Sequence, residues 1–193
     1  MLIEKTLAMI KHVFLTGPPG VGKTTLVQKL LAALSSTGVS IDGFWTEEVR
    51  ESGRRVGFDV VTVDGDRGIL ARVETEVSAD RHKYRVGQYV VDLPSFERLA
   101  LPLFRSVENK RVFVIDEIGK MELFSQAFIH SVRQVLESSA CSVLGTIPFP
   151  KNQHIGLVED IRARKDVKVF TVTKENRNDI YHDILSALKE CLK

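Results

Sequence analysis

The 193 residues, 44% hydrophobic and 27% charged, have the composition of a globular chain long enough to bury a sizeable core. A formal net charge of +2, with basic residues interleaved among acids, gives no strong case for nucleic acid or a membrane surface. Cys141 and Cys191 sit in no ligand spacing, which argues against a disulfide framework or a structural zinc site.

No apolar run approaches the ~18 residues of a membrane span. The start, "MLIEKTLAMIKHVFLTG", carries Glu4 and no arginine, and lacks an apolar core followed by a cleavage site, so it does not read as a targeting signal. The expectation is a soluble cytoplasmic monomer built as one domain over 1–193.

Short β-branched runs alternate with helical stretches along the chain. "HVFLT" (12–16) reads as a buried strand, followed by a glycine-rich turn and a helix over 23–35 whose Leu26, Leu30, Ala33 and Leu34 share one face. Gly38 fits a helix stop. A second strand is predicted over 41–49. Between 50 and 91, the runs "VGFDVVTV" and "ILARV" are separated by "ESGRR", "DGDRG" and a polar stretch at 78–83, the pattern of antiparallel hairpins. A short helix over 95–104 should stop at Pro102. A strand at 111–116, a helix at 124–138, a strand at 141–147 and a Pro148/Pro150 turn follow. A short helix (155–164), a strand (167–172) and an amphipathic helix (175–190) close the chain. Strands joined by helical crossovers imply an α/β fold with a mainly parallel sheet covered on both faces and an antiparallel hairpin extension.

"GPPGVGKT" (Gly17, Pro18, Pro19, Gly20, Val21, Gly22, Lys23, Thr24) matches G-x-x-x-x-G-K-[ST] between a predicted strand and a predicted helix, the context this phosphate loop requires. Its glycines let the backbone curl so that successive N–H groups face phosphate oxygens, and the helix N-terminus adds its positive dipole end. Lys23 suits the β- and γ-phosphates, and the Thr24 hydroxyl suits Mg²⁺. Thr25 completes the expected nucleotide-binding set at this end.

"RVFVIDEIGKMEL" ends an apolar run on two adjacent carboxylates, Asp116 and Glu117. Burying an ionised carboxylate without a partner is costly, so a cation is expected there, and Mg²⁺·nucleotide is that cation. Asp116 then holds the metal together with Thr24. Glu117, already leaving the strand, can orient or deprotonate an attacking water as a general base.

Together with "GFWTEEVR", "VGQYVVDL", "GTIPFPK" and "RKDVKVFTVTKENRN", these strings resemble the nucleoside-triphosphatase family first recognised in thermophiles, from His12 to the last helix. The resemblance implies a P-loop NTPase three-layer sandwich of the RecA-like kind. It also implies slow, Mg²⁺-dependent hydrolysis of ATP, GTP, CTP, UTP and TTP to the diphosphate and phosphate. It carries over residues 17–24 and Val112, Phe113, Val114, Ile115, Asp116, Glu117, Ile118 and Gly119 as nucleotide-contacting. Two departures stand out: Trp45 replaces an expected tyrosine, and residues 1–10 extend beyond the usual start, as a disordered or helical segment of unknown purpose.

Other residues have two readings. Thr146 could report on the γ-phosphate or the water if its strand lies between those of the phosphate loop and Asp116; otherwise it is a turn threonine. Glu47 and Glu48 lie on the carboxyl edge where open α/β sheets bind ligands, although a salt-bridged rim explains them more simply. Arg162 and Arg164, with Lys165, could supply an internal arginine finger or form a solvated helix face. Asn176 and Arg177 could meet the base or ribose, or serve as a weak helix cap. No N-K-x-D sequence selects guanine, which favours broad base tolerance. The five histidines are scattered and read as structural or surface residues.

Two rival functions share the phosphate loop: a small-molecule or nucleotide kinase, with "DIRARKD" as a basic lid, and a nucleotide-dependent switch or binding module. ATP consumption without an acceptor separates the hydrolase from the kinase.

Overall fold

The structure, a computed structural model, describes residues 9–74, 84–105, 111–150 and 156–193. The uninterrupted apolar runs become β1 (His12–Thr16), β7 (Arg111–Asp116) and β8 (Cys141–Thr146), where both faces are covered and alternation has no purpose. They are flanked by β2 (Ile41–Glu51) and β9 (Val167–Thr171), giving the parallel order β2-β7-β8-β1-β9. Beyond β2 the sheet turns antiparallel through β3 (Arg54–Thr62), β4 (Arg67–Val73), β6 (Tyr89–Val91) and β5 (Arg85–Val86).

Two hydrophobic cores sandwich this sheet. Val13, Leu15, Val112, Val114 and Leu144 pack on one face against α1 (Lys23–Ser35) and α5 (Ile180–Cys191). Phe14, Phe113, Ile115 and Val143 pack on the other against α2 (Leu93–Ala100), α3 (Gln126–Glu137) and α4 (Gly156–Ala163). The period-two split of each strand between the two lists is what a pleated strand imposes. The three-layer, RecA-like arrangement expected from the sequence is therefore present. One strand, β8, separates the strand that carries the phosphate loop from the strand that ends in Asp116.

Some boundaries differ from expectation. The β2 strand runs through Glu51, because antiparallel pairing with β3 continues its ladder after the parallel pairing with β7 ends at Trp45. Pro102 does not stop the chain but sits second in a 3₁₀ turn, Leu101–Arg105, where its missing N–H costs little. The last helix starts at Ile180, five residues later than expected. The N-terminal residues 1–8 and the polar stretch 78–83 lie outside the described residues.

At the amino edge of the sheet, away from the phosphate loop, His12 is fully buried. Its Nδ1 accepts the Val143 N–H at 3.0 Å and its Nε2 faces the Leu136 carbonyl at 3.1 Å, so the partners select the neutral Nε2–H tautomer. Burial, opposed in part by Asp166, pushes the ring down to about 4. The unfolded chain therefore binds the proton near pH 6.5 while the folded chain resists it until about pH 4. Stability should be full above pH 6.5 and fall as pH drops to 4, by on the order of 3 kcal/mol. Urea midpoints across this range should lose that slope in His12→Gln; parallel profiles for the two proteins would show that His12 is not the responsible group.

Candidate active site at the carboxyl edge of the sheet

The phosphate loop leaves β1 at Gly17 and re-enters helix at Lys23. Gly20 and Gly22 have φ of 73° and 105°, a region glycine enters at little cost, and this lets the loop curl back over the start of α1. Val21 is buried beneath the loop, and Thr25 is exposed on the first turn of the helix. The Lys23 ammonium folds over the loop and donates to the Gly17 and Pro18 carbonyls at 3.0 and 3.3 Å.

Asp116 ends β7 on the α1 side of the sheet and is 1% exposed. The Thr146 hydroxyl, at the end of β8, donates to its Oδ1. The condition set for Thr146 is thus met: its strand does lie between β1 and β7. Burial pushes the Asp116 carboxyl upward, and the Thr146 and Thr24 hydroxyls and then the Lys23 charge oppose that rise. Although Thr24 is near enough to favour the ionised form, Oδ2 makes no full hydrogen bond among the described residues.

Glu117 follows across a cis peptide and is half-buried. Its carboxyl is also raised, by burial and then by the Asp116 charge, with Lys23 opposing. The Ile118 N–H donates to the Thr146 carbonyl at 2.9 Å, so this turn is tied to the end of β8. Lys23, Thr24, Asp116, Glu117 and Thr146 therefore form one constellation at the ends of two adjacent strands, β7 and β8, and the first turn of α1.

The remaining predicted residues divide clearly. Val112, Phe113, Val114 and Ile115 have no exposed surface and fill the two cores, so they support the site from within the sheet instead of touching a nucleotide. Glu47 accepts from the Trp45 indole at 2.9 Å and pairs with Arg67, while Glu48 pairs with Arg50 and Arg55 at 2.8 Å each. Both are rim acids on the antiparallel wing.

Arg162 turns inward from α4 and donates to the Thr16 hydroxyl at 3.0 Å and the Pro148 carbonyl at 2.7 Å, directly below the start of the phosphate loop. Arg164 lies at the opposite edge of the sheet, where it pairs with Asp166 at 2.8 Å and caps the Leu136 carbonyl at 2.8 Å. It is not at the site. With Leu157, Val158 and Ile161 buried on α4, "DIRARKD" is a packed element and not an open basic lid.

Asn176 and Thr173 exchange hydrogen bonds, N–H to Oδ1 at 2.8 Å and N–H to Oγ1 at 3.2 Å, and the Asn176 amide also donates to the Thr171 carbonyl at 2.9 Å. The Arg177 guanidinium lies 3.5 Å from the Val21 carbonyl, against the phosphate loop.

One acid went unread in the sequence. Glu122 opens a 3₁₀ turn, Glu122–Phe124, and is 4% exposed, with Oε2 accepting the Gly119 N–H at 3.1 Å. Burial, and next the Glu117 charge, push it up to about 8. A groove of about 260 Å³ lined by Leu31, Ala32, Ile41, Trp45 and Val63 includes none of the loop or acid residues.

Among the described residues no group of three or more His, Cys, Asp or Glu is placed to hold a metal. A metal here would draw on few protein oxygens, the Thr24 hydroxyl and the free Asp116 Oδ2. That sparse, hard set fits Mg²⁺, which keeps waters and takes phosphate oxygens.

The sequence profile described as NTPase matches residues 12–185. The chain belongs to the NTPase family. This family member is 59% identical over 190 residues to the human cancer-related nucleoside-triphosphatase, covering 96% of this chain and all of the human one. The solution structure of a human cancer-related nucleoside triphosphatase superposes with a TM-score of 0.84 at 59% identity, covering 95% of this chain and 100% of the other. The crystal structure of THEP1 from the hyperthermophile Aquifex aeolicus gives 0.77 at 38% identity, covering 92% of this NTPase and 99% of the other. No helix among the described residues of this NTPase is long and apolar enough to cross a membrane.

Proposed function

We propose that this chain hydrolyses nucleoside triphosphates to the diphosphate and phosphate at the carboxyl edge of β1, β8 and β7. The observation that carries the reading is the buried, unpartnered Oδ2 of Asp116 beside Thr24 at the foot of a phosphate loop. In this reading Lys23 moves its ammonium from the loop carbonyls to the β- and γ-phosphates, and Thr24 and Asp116 hold Mg²⁺. When bound, Mg²⁺ neutralises charge that develops on the phosphate oxygens. Glu117 orients the attacking water and accepts its proton, and Thr146 fixes the Asp116 carboxylate from the intervening strand.

Support for hydrolysis over phosphoryl transfer to an acceptor comes from α4, whose arginines are tied into the fold instead of standing ready as a lid. Phosphate release from purified protein and Mg²⁺·ATP with no acceptor tests this. A slow but sustained release is expected, and silence until an acceptor is supplied would mark a kinase.

Base tolerance should be broad. The Asn176 amide, the side chain nearest in kind to a base reader, is largely committed to its own turn. ATP, GTP, CTP, UTP and TTP should give kcat/KM values within about two orders of magnitude, a spread of ~2.7 kcal/mol. A preference well beyond that for one base would contradict it.

A further inference from the structure

Glu122 is a buried acid that the reaction as described leaves unused. A methyl group added at Gly119 would lie 2.9 Å from Glu122 Oε2, 3.1 Å from Glu117 Oε1 and 3.3 Å from Glu117 Cγ. The two side chains therefore lie against the same face of Gly119, in space that any larger residue would fill. Gly119 also donates its N–H to Glu122 Oε2, so the glycine both admits the Glu117 side chain and anchors its neighbour.

Resting on the assignment of Glu117 to the water, we infer that Glu122 is a positioning residue that holds the Glu117 carboxylate in its catalytic orientation across Gly119. The chemistry of the pair suits this. Glu122 accepts the Gly119 N–H, and burial pushes it up to about 8, so it carries its proton at neutral pH and can lie beside Glu117 without adding charge. A neutral carboxyl there avoids the repulsion that a second charge beside Glu117 would bring. Asp116, held by Thr146 on its far side, needs no such support.

The test is a double-mutant cycle read by single-turnover hydrolysis, with ATP affinity by calorimetry and thermal melting measured on every variant. Glu122→Ala should slow turnover by about 10- to 10²-fold, the scale of a misplaced catalytic group, with ATP affinity unchanged. Glu122→Gln, which keeps the volume beside Glu117 and an acceptor for Gly119 without adding charge, should restore most of the rate. In a Glu117→Gln background, Glu122→Ala should cost nothing further, because its effect passes through Glu117. Gly119→Ala, which pushes the two side chains apart without demanding an unusual backbone, should reproduce the Glu122→Ala defect. Multiplying defects in the double variant, or failure of glutamine to rescue, would overturn the inference. A rate that Glu117→Gln leaves intact would instead remove the underlying assignment of the water, and so separates the two failures.

Discussion

Glu117→Gln is expected to keep Mg²⁺·ATP bound while its turnover falls by roughly 10²- to 10⁴-fold, the contribution of general-base help. Glutamine preserves the size and hydrogen-bonding reach of the side chain but has no basic lone pair to take the proton. The position supports a split of labour between the adjacent acids: Asp116 is nearly sealed and engaged by Thr146, whereas Glu117 keeps some exposure where the chain leaves the strand. Asp116→Asn should fail differently, weakening Mg²⁺ dependence and nucleotide affinity together, because it removes charge beside the cation. Calorimetric binding alongside single-turnover hydrolysis distinguishes the two patterns. If Glu117→Gln hydrolyses ATP at near the parental rate, the water is activated by another group. Glu47 and Glu48 are poor substitutes, since their carboxylates are occupied by Arg67, Arg50 and Arg55 on the wing.

Lys23→Ala is expected to lower hydrolysis by at least the ~10²-fold typical of losing one preorganised electrostatic contact. The Lys23 charge registers on both Asp116 and Glu117, so its removal also leaves that carboxylate pair less compensated. Its own partners in the fold are two loop carbonyls, that of buried Gly17 and that of exposed Pro18, and two such bonds contribute little net stability, so the thermal midpoint should move little. A melt that hardly changes together with a collapsed rate places the defect in the chemistry. Retention of more than about half the activity would take Lys23 out of the mechanism.

The first and last links of the site were the most legible in the sequence. The β1, α1 and β7 boundaries coincide with expectation because each joins a strong local signal to a buried role: unbroken apolar runs for the strands, and a glycine followed by a 3.6-period face for the helix. The start of α5 was misread because Thr173 and Asn176 satisfy each other's backbone in a turn, an alternative to helix that periodicity does not register. Arg162 and Arg164 looked equivalent in "DIRARKD", yet residues two apart on a helical path do not share a face, and one reaches the phosphate-loop strand while the other caps the far edge. Carrying over 112–115 as ligand contacts overlooked that the middle of a central parallel strand is enclosed on both sides. Glu122 left no signal at all, since a polar residue in "GKMEL" reads as surface until the fold closes over it. The alternation of strands and helices already indicated the α/β class and the mainly parallel sheet, and the resemblance to thermophile nucleoside-triphosphatases added the RecA-like three-layer arrangement and the reaction class.

The interposed strand β8 also acts as a ruler. Two interstrand steps of ~4.8 Å set the phosphate-loop strand and the Asp116 strand roughly 10 Å apart, a span that in the proposed reaction leaves room for a terminal phosphoryl group and a water. Were the two strands direct neighbours, the acids would crowd the loop and leave no room for an in-line approach. The residue at the tip of the spacer is a threonine, fully buried and polar enough to brace Asp116 from the neighbouring strand. In the proposed reaction, a larger side chain at Thr146 would crowd the phosphoryl group from the middle of that span.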